Sequence, residues 1–333
     1  MPNAVRSNGA LAFSRIAGTG SYLPERVVTN DELEQMVDTS DEWIRSRTGI
    51  GKRHIVASGE TTCDMAEHAA RRALDAAGVH PSDLDLIVVG TATPDQVFPN
   101  VGCLLQDRLG TYGFPAFSVE AACAGFVYAL GVADKFVASG AARCALVVGA
   151  DAMSNIIDWS DRTTCVLFGD GAGAVVLTAS EDTGVLSTHL HADGKHHGLL
   201  QVPSGISKGL DKRGEGADFS LRMKGTEVFR VAVNKLGDAV LEALAANELH
   251  KSDVDWLVPH QANIRIIQAI ARKLDMPMER VVTTVEDHGN TSSASVPLAL
   301  DAAVRDGRIQ RDQVLLLEAF GGGFTWGSAL VRF

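Results

Sequence analysis

Three residues of this chain, Cys123, His260 and Asn290, carry a thiol, an imidazole and a carboxamide that could act together on a thioester. Cys123 lies in SVEAACAGFVYAL, where an apparent buried strand ends and an apolar helix begins. A thiol at a helix N-terminus lies near the positive end of the helix dipole, which favours the nucleophilic thiolate. That thiolate can accept an acyl group from a thioester while backbone N–H groups hold the oxyanion. His260 and Asn290 would then supply two donors to a second oxyanion, such as the enolate left when a malonyl thioester loses carbon dioxide.

Each of these residues also fits a purely structural role. A free cysteine is often a small buried hydrophobe, a histidine after a strand is often a turn residue, and an asparagine before a helix is often its N-cap. Papain-like proteases also combine Cys, His and Asn, but their cysteine lies in a different local sequence. The chemical interpretation therefore depends on whether the fold brings the three side chains together.

An internal repeat predicts that the fold does so. The stretch ALDAAGVHPSDLDLIVVGTA at 73–92 recurs as ALAANELHKSDVDWLVPHQA at 243–262, an offset of 170 residues. Each copy is typical of a helix end, a turn and a buried strand, which indicates duplicated α/β units with mainly parallel sheets. Ligands of such units bind at the carboxyl ends of strands. The offset maps Cys123 onto Ser293, close to Asn290, so two halves packed about a pseudo-twofold axis would form one pocket.

Composition limits the class of protein. The chain has 333 residues, 46% of them hydrophobic, which is enough for a large core. A formal net charge of −11 argues against general binding of nucleic acid or membrane surfaces. The five cysteines are odd in number and lack CxxC spacing, which favours a reducing compartment. We find no secretory signal and no apolar run long enough to span a membrane, and therefore expect a soluble, cytoplasmic protein.

Polar, glycine-rich segments near residues 178–225 mark the predicted boundary between the halves. We place it at residue 180. Residues 1–180 then form the half with the nucleophilic cysteine, and residues 181–333 form the half with the histidine and the asparagine.

Seven motifs extend the interpretation over essentially the whole chain. They are GTGSYLPERVVTN, DTSDEWIRSRTGI, AACAGFVYAL, FGDGAGA, VPHQANIRI, HGNTSSASVP and EAFGGGFTWGSALVRF. With these motifs the chain resembles the β-ketoacyl-acyl carrier protein synthase III family, condensing enzymes of the thiolase superfamily that initiate type II fatty-acid synthesis. The resemblance implies a thiolase-like α/β fold, in which duplicated halves form a layered α-β-α-β-α architecture with a pseudo-twofold axis.

The resemblance also implies a ping-pong reaction. Cys123 would take the acyl group of an acyl-CoA, and malonyl-acyl carrier protein would then lose carbon dioxide beside His260 and Asn290. The resulting carbanion would attack the acyl thioester and give 3-oxoacyl-acyl carrier protein. The backbone N–H groups of Cys123 and Gly322 would form the oxyanion hole, with Phe320 lining the site. No metal, nicotinamide or other redox cofactor would be needed, because the malonyl group carries its own driving force.

Further residues are assigned to CoA by the same resemblance. Trp43 and Arg162 would stack on the two faces of the adenine. Thr39 would hydrogen-bond the base, and Arg47 would meet the phosphates. The pantetheine tunnel would be lined by Gly225, Phe229, Ala262 and Asn263. Where the family commonly has a Gly-Asn pair, this chain has Thr226 after the glycine, so a pantetheine contact by Thr226 stays open.

The resemblance also suggests how the chain meets its protein partners. Four basic residues would form a patch that docks the acidic carrier protein, with a solvated helix face as the alternative. They are Arg265, Arg230, Arg272 and Lys273. Phe98 matches a residue that reaches across a homodimer interface and closes the acyl pocket. A bulky ring there favours a short primer such as acetyl-CoA. Branched or longer primers stay open, because the sequence does not fix the other walls of the pocket.

Several other classes of protein share part of this pattern. The closest is a specialised condensing enzyme that takes another acyl-CoA primer in secondary metabolism. A non-catalytic partner subunit is disfavoured because Cys123 is present. Degradative thiolases need a second cysteine near the C-terminus, whereas the last cysteine here is Cys165. Elongating synthases usually have a second histidine where this chain has Asn290, and plant-type polyketide synthases tend to be longer.

Two further motifs are set aside. GDGAGAVV resembles a dinucleotide loop, but it lacks G-x-G-x-x-G spacing and runs into a β-rich stretch. We interpret its glycines as sites of tight packing. THLHADGKHH places His189 and His191 on one strand face, without the further ligands of a metal site.

Overall fold

The computed structural model describes residues 13–208 and 218–333 as two α/β halves. The strands of the first half are β1 (Phe13–Tyr22), β2 (Arg26–Thr29), β3 (Lys52–Ile55), β4 (Leu86–Gly90), β5 (Ala116–Val119), β6 (Cys144–Asp151) and β7 (Gly171–Ser180). Its helices are α1 (Asn30–Glu34), α2 (Asp41–Thr48), α3 (Thr62–Ala77), α4 (Val101–Arg108) and α5 (Gly125–Ala138).

Among the described residues, the second half repeats this plan with fewer strands. Its strands are β8 (Val185–Ala192), β9 (Leu200–Gln201), β10 (Arg222–Met223), β11 (Trp256–Pro259), β12 (Val314–Gly321) and β13 (Thr325–Arg332). Its helices are α6 (Gly225–Ala246), α7 (Ile264–Lys273), α8 (Val285–His288) and α9 (Ser295–Arg305).

Each half contributes one large sheet to the core. The strand order is β1-β7-β6-β4-β5 in the first sheet and β11-β12-β13-β8 in the second. The pairs β4–β5, β4–β6 and β11–β12 are parallel, and the other pairs of these two sheets are antiparallel. The expectation of mainly parallel sheets is therefore wrong. The turn between β12 and β13 is too short for the crossover that parallel strands require.

The core is built in five layers. Helices α5 and α9 lie between the two sheets, where Phe126 and Leu300 pack with Val147 and Leu317. Helix α3 covers the outer face of the first sheet, and α6 and α7 cover the outer face of the second. The predicted layered α-β-α-β-α architecture is confirmed, with helices covering both faces of each sheet.

The duplication extends to the backbone of two short turns. Residues 122–124 and 292–294 each form a turn of 3-10 helix immediately before a helix of the central layer. The first residue of each turn is left-handed, with φ of 45° at Ala122 and 51° at Ser292. Such angles are uncommon for residues other than glycine. The offset of 170 residues therefore holds for the backbone conformation as well as for the sequence.

Three glycines allow the halves to approach closely at the second of these turns and at the helix α9 that follows it. A Cβ atom on Gly149 would lie 2.3 Å from the carbonyl oxygen of Ser293, and one on Gly125 would lie 2.7 Å from its hydroxyl. A Cβ atom on Gly173, in the GDGAGAVV motif, would lie 2.7 Å from the backbone N of Leu298. The packing role inferred for the glycines of that motif is therefore found at Gly173.

Some expectations concern residues that the structure does not describe. The absence of a secretory signal was predicted from a segment that includes residues 1–12, which lie outside the described residues, as do residues 209–217 of the linking segment. Within the described residues, no helix is long and apolar enough to cross a membrane. The strands of the first sheet all precede residue 181 and those of the second all follow it. The domain boundary at residue 180 stays a prediction.

We expect Gly149→Ala to lower the free energy of unfolding by about 1–3 kcal/mol, because the added methyl group meets the backbone of Ser293 and cannot be accommodated by a side-chain movement. Gly198→Ala is the matched control, since a Cβ atom added there would meet no atom of residues 13–208 and 218–333 within 4 Å. Denaturant unfolding of both variants measures the difference. Equal stability of the two would contradict the proposed close approach of the halves.

Candidate active site

A cavity of about 320 Å³ opens between the two halves and contains the three predicted catalytic residues. Cys123, His260 and Asn290 all line it. The remaining lining residues are Trp43, Arg47, Leu167, Phe168, Leu200, Met223, Gly225, Thr226, Val228, Phe229, Ala232, Leu236, Ala262, Asn263, Ile266 and Phe320. The cavity is therefore mainly apolar, with a few polar groups near the nucleophile and charged or aromatic groups near the mouth.

Cys123 lies in the turn before α5, and the turn aims its thiol into the cavity. The residue is only 6% exposed. Burial raises the pKa of the Cys123 thiol to about 12, and a hydrogen bond from Ser292 opposes this rise. Desolvation of the negative charge therefore opposes the thiolate that the end of the helix would favour.

The carboxylate of Asp151 anchors the region behind the thiol. Its Oδ1 accepts hydrogen bonds from the backbone N of Ala92 at 2.8 Å and from the Thr93 hydroxyl at 3.0 Å. Its Oδ2 accepts one from the backbone N of Ser293 at 2.9 Å. One buried carboxylate at the end of β6 thus joins the loop after β4 to the second half. Its negative charge also contributes to the raised pKa of Cys123.

His260 follows the last residue of β11, as the repeat predicted. Its backbone N donates to the carbonyl oxygen of Glu318 on β12 at 2.8 Å, which extends the parallel ladder by one residue. Its Nδ1 lies 2.5 Å from the hydroxyl oxygen of Ser295 at the start of α9. Burial lowers the pKa of His260 to about 4, so the imidazole is neutral at neutral pH.

Asn290 is held by both its backbone and its side chain. Its backbone N donates to the carbonyl oxygen of Leu167 at 2.9 Å, and its own carbonyl accepts from the N–H of Gly169 at 3.0 Å. Its Oδ1 accepts from the backbone N of Ser292 at 2.9 Å. Because Oδ1 is engaged there, Asn290 has its amide Nδ2 as the donor for a ligand in the cavity.

Gln261 was not predicted from the sequence, yet it fixes the loop beside His260. Its Nε2 donates to the carbonyl oxygens of Pro259 at 2.8 Å and Val282 at 3.0 Å. Its Oε1 accepts from the backbone N of Thr284 at 2.8 Å and of Val285 at 3.1 Å. The side chain therefore uses its full hydrogen-bonding capacity to join the end of β11 to the segment that leads to Asn290.

The glycine-rich turn after β12 lies against the nucleophile. A Cβ atom on Gly321 would lie 2.7 Å from the backbone N of Cys123, so only glycine permits this approach. Gly321 is the last residue of β12, and Gly322 begins the turn, where a Cβ atom on it would lie 2.9 Å from the carbonyl oxygen of Leu200. The turn thus brings backbone close to the thiol, and the oxyanion role of the Cys123 and Gly322 N–H groups stays a prediction.

The predicted adenine site is closed by its own residues. The Arg162 guanidinium lies 5.5 Å from the centre of the Trp43 ring, and the Arg47 guanidinium lies 5.7 Å from it. Arg162 also donates to the carbonyl oxygen of Asp38 at 2.6 Å. Among the described residues, the Thr39 hydroxyl is buried without a hydrogen-bond partner. An adenine can enter between Trp43 and Arg162 only if the arginine moves away from the ring.

The four residues predicted to line the pantetheine tunnel, together with Thr226, all line the cavity. The side chain of Asn263 is largely committed to the protein. Its Oδ1 accepts from the backbone N of Arg265 and so caps α7, while its Nδ2 donates to the carbonyl oxygen of Arg47 at 3.2 Å. The structure places Thr226 at the exposed mouth of the cavity, and its contact with pantetheine stays untested.

The predicted docking residues lie on α6 and α7, outside the cavity lining. Arg230, Arg265 and Arg272 are exposed, and Arg265 donates to the carbonyl oxygen of Ser46 at 2.8 Å. Lys273 pairs with Asp238 across the two helices at 3.4 Å, so part of its charge is already compensated. Phe98 is 82% exposed and also lies outside the cavity lining of its own chain.

The apolar wall of the cavity was largely missed by the sequence interpretation. Val228, Ala232 and Leu236 follow helical spacing on α6, so an amphipathic pattern could have indicated them. Leu200 and Met223 face each other across a two-residue ladder between β9 and β10, for which the sequence carries no clear signal. His189 and His191 both contact Glu242, yet no group of three or more ligand residues among those described could hold a metal.

Comparisons with known proteins show the family of this chain. The family model for 3-oxoacyl-[acyl-carrier-protein (ACP)] synthase III matches residues 117–194, and the model for the C terminal of these enzymes matches residues 244–333. A curated relative from Xylella fastidiosa named beta-ketoacyl-[acyl-carrier-protein] synthase III is 67% identical, over 96% of this chain and 98% of the relative. The chain belongs to this family.

Solved structures confirm the thiolase-like fold. The chain is similar to 3-oxoacyl-[acyl-carrier-protein] synthase III from Aquifex aeolicus VF5, with a TM-score of 0.90 and 46% identity over 96% of this chain and 100% of that one. It is also similar to the priming beta-ketosynthase of the R1128 polyketide biosynthetic pathway, with a TM-score of 0.91 and 40% identity over 98% of both chains.

We expect Cys123 of the free protein to react slowly with iodoacetamide at neutral pH. The rate should rise by about tenfold per pH unit up to about pH 10, because only the thiolate reacts and the thiol pKa is about 12. Intact-mass detection follows the reaction, with Cys123→Ala as the control for the other four cysteines. A plateau near pH 8 would show instead that the thiol ionises readily.

Proposed function

We propose that this protein initiates fatty-acid synthesis by condensing a short acyl-CoA, most favourably acetyl-CoA, with malonyl-acyl carrier protein. The products are 3-oxoacyl-acyl carrier protein, CoA and carbon dioxide. One observation carries the proposal: the Cys123 thiol and the side chains of His260 and Asn290 line a single apolar cavity. A nucleophile and two neutral donors in one water-poor space suit acyl transfer followed by carbanion formation.

In the first step, Cys123 accepts the acyl group. The sulfur attacks the thioester carbonyl, and the backbone N–H groups at Cys123 and Gly322 hold the oxyanion. The carbon–sulfur bond to CoA then breaks, and the proton lost by the Cys123 thiol ends on the departing CoA. Because this exchange replaces one thioester by another, it needs no external source of free energy.

In the second step, the malonyl thioester loses carbon dioxide. His260 and Asn290 donate to its thioester oxygen, which carries the negative charge of the enolate. The enolate carbon attacks the acyl carbon on Cys123, and the carbon–sulfur bond to Cys123 breaks. The sulfur leaves as a thiolate, which takes up a proton from water. Loss of carbon dioxide drives the reaction, so the proposed chemistry needs no metal or redox cofactor.

The two thioester substrates would approach through the same opening. Trp43 and Arg47 at the mouth suit the nucleotide of CoA by ring stacking and phosphate pairing. Arg230, Arg265 and Arg272 on α6 and α7 form an exposed basic surface on an acidic protein, which suits docking of an acidic carrier. The five described cysteines are free, which fits action in the reducing cytoplasm.

We also propose that the protein acts as a homodimer joined at β5. This strand is an edge of the first sheet, and the carbonyls of Pro115 and Val119 accept from β4 and the residue after it. Alternation therefore turns the N–H of Ser118 toward the open edge. Two copies related by a twofold axis would pair this edge antiparallel. The exposed ring of Phe98 would then be available to close the acyl end of the partner's cavity.

A specialised enzyme that uses another acyl-CoA primer is the second candidate. The likeness to the priming beta-ketosynthase of a polyketide pathway favours it. The two candidates share Cys123, His260 and Asn290 and differ in the primer, so primer selection separates them.

The primer test compares acetyl-CoA with branched and longer acyl-CoA substrates in condensation with malonyl-acyl carrier protein. We expect kcat/KM for acetyl-CoA to exceed that for octanoyl-CoA by about tenfold or more, because a closed pocket excludes the longer chain. Phe98→Ala should reduce the ratio of kcat/KM for acetyl-CoA to kcat/KM for octanoyl-CoA. Cys123→Ser should lose both the acylation that intact-mass measurement detects and the condensation activity. A preference for octanoyl-CoA would overturn the short primer, and undiminished condensation by Cys123→Ser would support a non-catalytic partner subunit.

Light scattering should give twice the 35.2 kDa mass of one chain. Ser118→Pro should shift the mass toward one chain, because proline removes the N–H that faces the open edge of β5. Ser118→Thr keeps that N–H and serves as the matched control. A single-chain mass for the unaltered protein would refute the dimer.

A further inference from the structure

Ser295 links the helix of the central layer to the imidazole of the active site. Its hydroxyl oxygen lies 2.5 Å from Nδ1 of His260. Ser295 is 1% exposed and His260 is 4% exposed, so water does not compete for this contact. A neutral imidazole has one donor nitrogen and one acceptor nitrogen. The direction of this hydrogen bond therefore determines whether the other ring nitrogen, which faces the cavity, carries a proton.

The surroundings of the Ser295 hydroxyl determine that direction. The backbone N–H of Gln261 points to the same oxygen at 3.4 Å, so the oxygen already accepts one contact. Over residues 13–208 and 218–333, His260 Nδ1 is the hydrogen-bond acceptor within reach of this hydroxyl. The hydroxyl proton consequently points to Nδ1, and Nδ1 uses its lone pair to accept it. The proton of the neutral ring is then carried by Nε2.

We propose that Ser295 is a positioning residue that holds His260 as the Nε2–H tautomer, so that the imidazole presents a donor to the substrate oxygen. This inference rests on the proposed decarboxylation. With the other tautomer, a lone pair would face the oxygen on which negative charge develops, and the interaction would be repulsive. Because burial lowers the pKa of His260 to about 4, a second ring proton cannot supply the donor at neutral pH.

The side chain of Asn290 is oriented in a similar way. The backbone N–H of Ser292 occupies Oδ1 of Asn290, which leaves Nδ2 as the donor. The Ser295 hydroxyl does the same for His260 by occupying Nδ1. Both partners come from the segment between Asn290 and the first turn of α9. The segment from Ser292 to Ser295 therefore orients both side chains so that each presents an N–H donor to the enolate.

The kinetic test uses Ser295→Ala, with Ser293→Ala as the matched control. The Ser293 hydroxyl donates to the carbonyl oxygen of Gly90 at 2.9 Å and has no contact with the imidazole. We expect Ser295→Ala to leave acetyl transfer from acetyl-CoA to Cys123 within about twofold of the control. Decarboxylation of malonyl-acyl carrier protein should fall about tenfold or more, as expected when a hydrogen bond that orients a donor is lost. Equal decarboxylation by the two variants would overturn the proposal.

The spectroscopic test is independent of activity. Nitrogen-15 NMR of histidine-labelled protein at neutral pH identifies the protonated ring nitrogen, with His260→Gln assigning the signal. We expect the proton on Nε2 in the unaltered protein and a shift toward Nδ1 in Ser295→Ala. A proton on Nδ1 in the unaltered protein would overturn the proposal even if Ser295→Ala failed to fold. Because this measurement needs no substrate, it separates failure of the tautomer assignment from failure of the proposed function.

Discussion

The active site depends on direct contact between the two short turns that begin the central helices. Residues 122–124 and 292–294 meet where Gly125 and Gly149 leave no side chain in the way. The Asp151 carboxylate closes the same junction, since it binds the loop after β4 and the N–H of Ser293 together. The distance between nucleophile and donors is therefore set by backbone packing rather than by flexible side chains. Such packing tolerates little change in volume.

Burial at this junction also sets the charge state of the site. The same desolvation that raises the pKa of the Cys123 thiol lowers the pKa of the His260 imidazole. The two groups are consequently both neutral at neutral pH, and they do not form an ion pair with each other. A neutral site suits a reaction whose charge appears on substrate oxygens, because the N–H donors are already aimed there and no protein charge must be neutralised first.

Much of the fold and site follows from the sequence, and the remainder depends on long-range packing. The repeat at an offset of 170 residues located Cys123, His260 and Asn290, because periodicity and strand ends are local properties. The pairing direction of β7, β8 and β13 did not follow from alternation of helices and strands. Long-range contacts bring Leu200, Met223 and Gln261 to the site, and no local sequence pattern predicts these contacts. The protonation of Cys123 depends on burial, which a helix start alone does not reveal.

The matching left-handed residues Ala122 and Ser292 bear on the origin of the molecule. A chain with only one such turn would have had to dimerise in order to pack this turn against a second one. The two turns of that dimer would have been chemically identical. Fusion of the copies freed each turn to change alone. One turn now carries the sulfur of Cys123, and the other carries the backbone N–H of Ser292 that orients the amide of Asn290. The two turns therefore began as a symmetric pair and later came to differ, so that one provides the nucleophile and the other orients a donor.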